Sequence, residues 1–343
     1  MKLNALRVLL LTLMAALVAL FMSRVDWPTT LHYLRTMGPR APLVLVPYVF
    51  VVACDTLGWR ASFETPHHLS LPKLWCIRIA TDALSNSLPA GPAVGETLKA
   101  LLLRRMFGIA ITEGTANVVV SKFSLAIAQG FFLIVGVTLS SRELADHSRR
   151  LIGRAGLEWF GVIAAVAFLS LLVTAALLAQ RSMLSRALVR LRNRVGDSWQ
   201  RRLGGWEAPF ARVDHGLAVI ARVPRLQALR SVAFFLLGWM LLGLENWVIL
   251  SLLHSGVSVA NAISMEAVVS IVRILFFFVP SAFGAQEVSY YALFKVYGVP
   301  EAENVAAAFM LTKRAKEACF IALGYLVLSL LPARVAEVRS AVQ

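Results

Sequence analysis

The sequence predicts an all-α polytopic membrane protein with about six full transmembrane helices and two re-entrant helical hairpins in an inverted repeat. Two observations predict this fold class. Hydrophobic residues make up 58% of the 343-residue chain and charged residues only 15%, whereas soluble domains are nearer one half and one quarter. Apolar stretches of about 20 residues, the length that crosses a bilayer, also recur along the chain.

The full spans are placed on the longest apolar stretches, which are residues 5–23, 41–57, 115–140, 159–180, 231–253 and 304–331. The first stretch follows Lys2 and Arg7 in the manner of a secretory signal. No small-residue cleavage site comes after it, so we expect a retained helix. The whole chain, 1–343, is treated as one integral membrane domain whose halves are residues 1–180 and 231–343.

Two segments, residues 74–107 and 263–297, do not suit simple spans because each contains a Gly/Pro break among charged residues. Each segment is expected to form a helix, an interruption and a second helix. Non-helical backbone persists at membrane depth only where it is buried in protein or lines a wet cavity. We therefore predict two re-entrant hairpins, with full double crossings as the alternative.

The two breaks share one pattern. It consists of a proline, a carboxylate seven positions later and a glycine between them: Pro89, Gly95 and Glu96 in the first break, and Pro280, Gly284 and Glu287 in the second. A long apolar helix with an internal cation follows each break, containing Lys122 in one half and Lys313 and Arg314 in the other. Paired broken helices at matching positions of two halves indicate a transport site.

Charges near the bilayer centre are costly, at least ~2.5–3.5 kcal/mol each on insertion scales, so those that remain are candidates for function. The candidate substrate-binding and translocation residues are the charged, amide and break-forming residues of the two halves: Arg78, Asn86, Pro89, Gly95, Glu96, Lys122, Glu245, Arg273, Pro280, Gly284, Glu287, Lys313 and Arg314.

Two interpretations of these charges remain open. In the structural one they pair: Glu96 with Lys122, Glu287 with Arg314, and Arg78 with Asp82 one helical turn away. In the functional one they line a polar cavity at the hairpin tips, where cations meet a phosphate and carboxylates couple to protons or ions. Glu245 has no cation near it in sequence. It is either a partner for Arg273 or a group that titrates.

The charge distribution predicts the topology. Eleven of the 34 basic residues lie in residues 181–230, which favours a cytoplasmic loop that also docks on anionic lipid head groups. Segments near 24–40 and 141–157 are then outside loops, and both chain termini are cytoplasmic. The first hairpin enters from inside and the second from outside, as an inverted repeat requires. The net charge of +15 is explained without nucleic acid.

No catalytic or cofactor motif is recognisable. Cys54, Cys76 and Cys319 form no C-x-x-C pair, and there is no nucleotide-binding loop, H-E-x-x-H or G-x-S-x-G sequence. The sequence therefore predicts neither an enzyme nor a bound metal or cofactor.

Several short motifs resemble the flippase-like transmembrane family of lysylphosphatidylglycerol synthases and their stand-alone relatives, some of them linked to hopanoid biosynthesis. They are Asn86-Ser-Leu-Pro89 with Gly95-Glu96, Leu-Leu-Leu-Arg104-Arg105, and Phe278-Val-Pro280 with Gly284-Ala-Gln-Glu287 and Gly298. The resemblance implies a bacterial inner-membrane protein that moves or handles lipids. Lysyl transfer belongs to a separate soluble domain in that family and is not carried over.

One departure from the family pattern falls in the helix after the first break. Ser121-Lys122 and Leu125 stand where the family has a Glu-Arg pair followed by Asp. The cation is retained as lysine and the acidic neighbours are not, so the family's pairing at this place is not carried over.

The preferred function is translocation of an anionic or modified lipid, through a groove between the hairpins. Two alternatives remain: an intramembrane enzyme acting on lipid phosphates, and a non-catalytic scaffold or regulator of a lipid-modifying pathway that docks through residues 181–230. The expected partners are a membrane phospholipid or isoprenoid lipid and a second copy of the chain, and no nucleic acid.

Overall fold

A computed structural model of the protein describes residues 23, 25–63, 69–88, 91–139, 163, 166, 169–170, 223–276 and 279–331, and regular structure in these ranges is helical throughout. The predicted spans 5–23 and 159–180 and the basic segment 181–230 lie largely outside the described residues. Pro89 lies wholly outside them.

The helices are α1 Trp27–Met37, α2 Leu45–Ala61, α3 Leu71–Ser87, α4 Gly91–Phe107, α5 Ile111–Leu139, α6 Arg225–Leu252, α7 Val259–Leu275, α8 Ala285–Val296 and α9 Ala302–Leu330. Short 3₁₀ turns, Gly38–Val44 and Pro280–Ala282, precede α2 and α8. Three described stretches are long and apolar enough to cross a membrane: Trp27–Ala61, Ile111–Leu139 and Arg225–Leu252.

The predicted spans 115–140 and 231–253 coincide with α5 and α6. The segment predicted as the outside loop 24–40 is not a simple loop, because α1 occupies most of it. Pro28 lies in the first turn of α1, where its missing N–H costs no helical hydrogen bond. The span predicted at 304–331 corresponds to the helix α9, which is 29 residues long but is not among the three described stretches apolar enough to cross a membrane.

Both predicted hairpins have the expected order of helix, break and helix. In the first, α3 ends at Ser87 and α4 begins at Gly91. In the second, the turn Pro280–Ala282 separates α7 from α8, and Ser281 has a φ of 47°. Gly284, which precedes α8, has a φ of 88°, a conformation that glycine adopts without strain.

Gly91 allows the first hairpin to close tightly. A Cβ atom at Gly91 would lie 2.7 Å from the carbonyl oxygen of Leu84 and closer still to that of Ser85. Gly91→Ala must therefore displace α4 from α3, and we expect it to lower the free energy of unfolding by about 1–3 kcal/mol. Thermal unfolding in detergent measures this effect.

Gly114→Ala is the matched control for that variant. A Cβ atom at Gly114 would meet Ala100 at 3.4 Å, an ordinary packing distance, so its unfolding temperature should stay close to that of the wild type. Equal unfolding temperatures for Gly91→Ala and the wild type would contradict the described geometry of the break.

The long helix α9 contacts both hairpins. Near its N-terminus, Glu303 accepts a hydrogen bond from Tyr291 at 2.8 Å and pairs with Lys295 at 2.9 Å, and both partners lie on α8. Near its C-terminus, Leu328 packs against the buried cluster that includes Leu74 at the start of α3. The two hairpins therefore open towards opposite ends of α9.

The long helix α5 makes the reverse connection. It begins beside α4, where Gly114 packs near Ala100. It ends beside α7, and the two helices are so close there that a Cβ atom at Gly136 would clash with Ala267. Each half of the chain thus supplies a hairpin followed by a long helix that reaches the first arm of the other hairpin.

The two halves are also joined by α2 and α6, which run antiparallel. Ser231 near the start of α6 donates a hydrogen bond to the carbonyl oxygen of Gly58 near the end of α2, at 2.8 Å. Gly238, about two turns further along α6, faces Asp55 on α2. This packing places a charged residue of α2 inside the bundle, next to the first hairpin.

Candidate functional site

Charged residues of α2 to α5 form a first ionic cluster, which consists of Asp55, Arg78, Asp82, Glu96, Lys99 and Lys122. The Arg78 guanidinium donates to Asp55 at 2.7 Å and to Asp82 at 2.6 Å. The predicted Arg78–Asp82 contact is therefore present, and Asp55 adds a second carboxylate from α2.

The carboxylate of Glu96 is shared between two lysines. Its Oε1 atom lies 2.7 Å from Lys122 Nζ and 3.6 Å from Lys99 Nζ, so the predicted Glu96–Lys122 contact is present. Its Oε2 atom is buried and finds no hydrogen-bond partner among the described residues. The Lys122 side chain remains 50% exposed, whereas that of Lys99 is 6% exposed. One cation of the cluster is therefore accessible from the surface of the helical bundle.

The glycine before Glu96 positions this carboxylate. A Cβ atom at Gly95 would lie 2.8 Å from the carbonyl oxygen of Thr81, so only glycine lets α4 approach α3 this closely. The close approach places Glu96 in the same cluster as Arg78 and Asp82.

A second ionic cluster lies among α6 to α9. It consists of Glu245, Asn246, Glu266, Arg273, Glu287, Tyr290, Lys313, Arg314, Lys316 and Glu317. Four acidic and four basic side chains balance in it, as three and three do in the first cluster. Charged groups within an apolar bundle are tolerated when they are paired in this way.

Glu266, which is fully buried, is the acceptor of the second cluster. Its Oε2 atom accepts hydrogen bonds from Tyr290 at 2.5 Å and Asn246 at 2.7 Å, and lies 3.5 Å from Lys313 Nζ. Its Oε1 atom pairs with Arg273. Lys313 also donates to Asn246 at 2.7 Å, which closes the network around its ammonium group.

Of the two interpretations of Glu245, the pairing with Arg273 is wrong. Glu245 pairs with Lys316 at 2.6 Å and lies 3.9 Å from Lys313. Arg273 pairs instead with Glu266, seven residues earlier on the same helix α7. Two helical turns bring these residues to one face, so Arg273 has a carboxylate of its own and does not need Glu245.

The predicted Glu287–Arg314 contact is present and lies beside the second tip. Glu287 Oε1 accepts from Arg314 at 2.5 and 2.9 Å, and its Oε2 atom accepts from the backbone N–H of Gly284 at 2.7 Å. Glu287 therefore caps α8 and binds α9 at once. Arg314 also pairs with Glu317 at 2.6 Å and lies over the ring of Phe283, which extends the network towards the surface.

The hairpin tips meet each other. Ser281 in the second tip donates a hydrogen bond to the carbonyl oxygen of Asn86, at the end of the first arm of the first hairpin, at 3.3 Å. Pro280 begins the turn that carries Ser281. Asn86 also lines a narrow cleft of about 30 Å³ between α2, α3 and α9, with Tyr48, Val52, Ile79, Asp82, Ala83, Glu317, Phe320 and Ile321.

This cleft connects the two ionic clusters, because Asp82 belongs to the first and Glu317 to the second. Its volume admits one or two water molecules and no phosphate-bearing head group. The Asp82 and Glu317 carboxylates border this space, so the two clusters adjoin one another in the described conformation and leave no room for a head group between them.

Three members of each cluster correspond along the two halves, 190 or 191 residues apart: Asp55 with Glu245, Glu96 with Glu287, and Lys122 with Lys313. They differ in access. Lys122 is 50% exposed and Lys313 is 5% exposed. The lysine of the first cluster is therefore accessible and its counterpart is buried, while Arg273 and Arg314 of the second cluster keep 27% and 23% of their side chains exposed.

Apart from Asp82, which was predicted as a partner of Arg78, the candidate residues predicted from the sequence do not include several cluster members, namely Asp55, Lys99, Asn246, Glu266, Tyr290, Lys316 and Glu317. Asp55 lies inside the predicted span 41–57, at the same place in its half as Glu245, and this correspondence was a usable signal. Lys316 follows Lys313 by one helical turn, so the two share a face of α9. Their pairing with Glu245 across helices had no local signature.

Together these features define a helical integral membrane protein whose hairpins bring two charge-balanced clusters towards one another. The sequence matches the family described as "Lysylphosphatidylglycerol synthase TM region" over residues 4–314. Because this match covers most of the chain, the protein belongs to that family, as its motifs predicted. A search of the curated proteins and a search of the solved structures gave no match.

Proposed function

We propose that this protein translocates an anionic or modified lipid across the bacterial inner membrane, with the head group passing between the two hairpin tips. The observation that carries the proposal is the pair of charge-balanced clusters that flank the meeting point of the tips inside an apolar bundle. Membership of a family named for a lipid synthase supports a lipid as the cargo.

The helix lengths support a re-entrant second hairpin. The helix α8 has 12 residues and is therefore about 18 Å long, well short of the ~30 Å hydrocarbon core. Since the hairpins open towards opposite ends of α9, we propose that they enter from opposite leaflets and that their tips meet near the membrane midplane. Substrate sites of transporters built from inverted repeats lie at that depth.

The difference in exposure supports the first cluster as the entry site. The Lys122 side chain is 50% exposed and reaches the carboxylate of Glu96, whose side chain is 21% exposed. A lipid phosphate that binds Lys122 would take the place of the Glu96 carboxylate as the negatively charged partner of this lysine. We propose that the second cluster accepts the head group only after the tips separate, because its lysines Lys313 and Lys316 are closed to the outside.

A charge swap separates a binding role from a structural one. We expect Lys122→Gln to reduce the translocation of fluorescent phosphatidylglycerol in proteoliposomes at least about tenfold, the effect of ~1.4 kcal/mol, because the accessible cation is lost. The triple variant Glu96→Lys/Lys99→Gln/Lys122→Glu restores an ion pair. The change at Lys99, which lies 3.6 Å from Glu96, avoids two neighbouring ammonium groups, so this variant should recover most of the lost unfolding temperature. It places a carboxylate at the accessible position, so translocation should stay low.

The exposed pair between Lys295 and Glu303, 2.9 Å apart, provides the control. The swap Lys295→Glu/Glu303→Lys should leave both the unfolding temperature and the translocation rate close to wild type, because exposed pairs contribute little. Wild-type translocation by the swapped Glu96 and Lys122 variant would show that their pair is only a structural link and would remove the proposed entry site.

A further inference from the structure

Five exposed basic residues are brought together at one end of the molecule, on the ends of four helices. They are Arg60, Lys73, Arg104, Arg225 and Arg230, and we call them the basic collar. The same buried cluster, which includes Trp59, Leu74 and Leu102, packs beneath these helix ends. Lys73 lies over the ring of Phe107 at the end of α4. The collar therefore surrounds the base of the first hairpin.

The opposite end of the molecule has no such excess among the described residues. Its exposed or half-exposed charged side chains are balanced, three basic against three acidic: Arg35, Arg40, Lys295, Asp26, Glu301 and Glu303. At the collar end, the described residues add Arg105 and a single acid, Glu113. Among the described residues, the excess of exposed positive charge therefore lies at the collar end of the bundle.

Helix dipoles do not account for the whole collar. Arg60 and Arg104 lie in the last turns of their helices, where a cation is favourable. Lys73 and Arg225 lie in the first turns of α3 and α6, where the positive end of the dipole makes a cation unfavourable. An external anion that binds these two residues would offset this cost.

The start of α6 combines cations with exposed apolar side chains. Leu226 and Leu229 are 58% and 66% exposed, and both lie between Arg225 and Arg230 in the sequence. Segments of this kind lie at the membrane interface, with the leucines in the acyl region and the cations among the head groups. Basic residues at that level attract anionic lipids.

We propose that the basic collar binds anionic phospholipid head groups of the leaflet that contains the base of the first hairpin. The collar thereby enriches anionic lipid around this end of the protein and fixes its orientation in the bilayer. This role requires no translocation, so it stands or falls separately from the proposed transport.

The test compares spin-labelled phosphatidylglycerol with spin-labelled phosphatidylcholine around the reconstituted protein by electron spin resonance. The collar variant is Lys73→Gln/Arg225→Gln/Arg230→Gln, and the matched control, Arg35→Gln/Arg40→Gln/Lys295→Gln, removes three cations from the opposite end. Both variants retain the rest of the 181–230 segment. We expect the relative association constant for phosphatidylglycerol to fall about fivefold or more in the collar variant and to be unchanged in the control.

The wild-type protein supplies a second measurement that depends on no substitution. Its preference for phosphatidylglycerol should decline when salt is raised from about 0.05 to about 0.5 M, because salt screens the attraction between exposed charges. An equal loss in both triple variants, an undiminished preference in the collar variant, or no preference in the wild type would each overturn the proposal. An undiminished preference would direct attention to an acidic protein as the collar's partner.

Discussion

The Glu245→Met variant is expected to lose about 3–5 kcal/mol of unfolding free energy, the largest stability effect that the structure predicts. Glu245 is fully buried and is the carboxylate closest to Lys316, whose side chain is only 4% exposed. Removing Glu245 leaves the Lys316 ammonium group inside an apolar bundle without this partner. Lys316→Met should be costly too, although Lys313, 3.9 Å away, still partly compensates the remaining carboxylate.

The double variant Glu245→Met/Lys316→Met tests the cause of this loss. Replacing both members of a buried ion pair by apolar residues is often nearly neutral, so the double variant should recover most of the lost stability. Denaturation by sodium dodecyl sulfate in mixed micelles measures the unfolding free energy of all three variants. A double variant no more stable than Glu245→Met would contradict the pairing seen between α6 and α9.

Linking the two hairpin tips is expected to stop lipid translocation completely and reversibly. Ser281 Oγ lies 3.3 Å from the carbonyl oxygen of Asn86, so cysteines at positions 281 and 86 are within reach of a short thiol-specific crosslinker. The proposed path requires the tips to separate, because the cleft beside them has room for only one or two water molecules. A link between the tips therefore closes the path.

The experiment requires a background in which Cys54, Cys76 and Cys319 are replaced by alanine, since Cys319 is exposed. Each single cysteine variant, treated with the same crosslinker, controls for modification of one tip alone. A disulfide-cleavable crosslinker allows the rate to be restored by a reductant. Unchanged translocation after complete linkage would show that lipids do not pass between the tips.

The breaks of both hairpins were predictable because proline and glycine act locally. The repeated pattern around Glu96 and Glu287 located the ends of α3 and the start of α8 to within a few residues. The helix α1 was not predicted because its 11 residues are fewer and more polar than the stretch of about 20 apolar residues that crosses a bilayer. Its first-turn proline, Pro28, was the available signal.

Ion pairs were predictable where both partners lie on one helix, or where one lies on a hairpin and the other on the long helix that follows it. Arg78 and Asp82 are one turn apart, and Glu287 meets Arg314 in the helix that follows it. The partner of Glu245 lies 71 positions away, and its identity depends on how α6 crosses α9. Such crossings are set by side-chain packing over the whole bundle, which local spacing does not reveal.

The contact between Glu96 and Lys122 has a consequence for the energetics of the proposed cycle. When no cargo is present, Lys122 still has an oxyanion beside it, so the vacant carrier contains no bare cation in a medium of low polarity. An arriving phosphate must compete with this internal rival, which keeps its net affinity weak and its release fast. In the proposed translocation, the empty site therefore needs no second solute to neutralise Lys122, which favours transport without exchange.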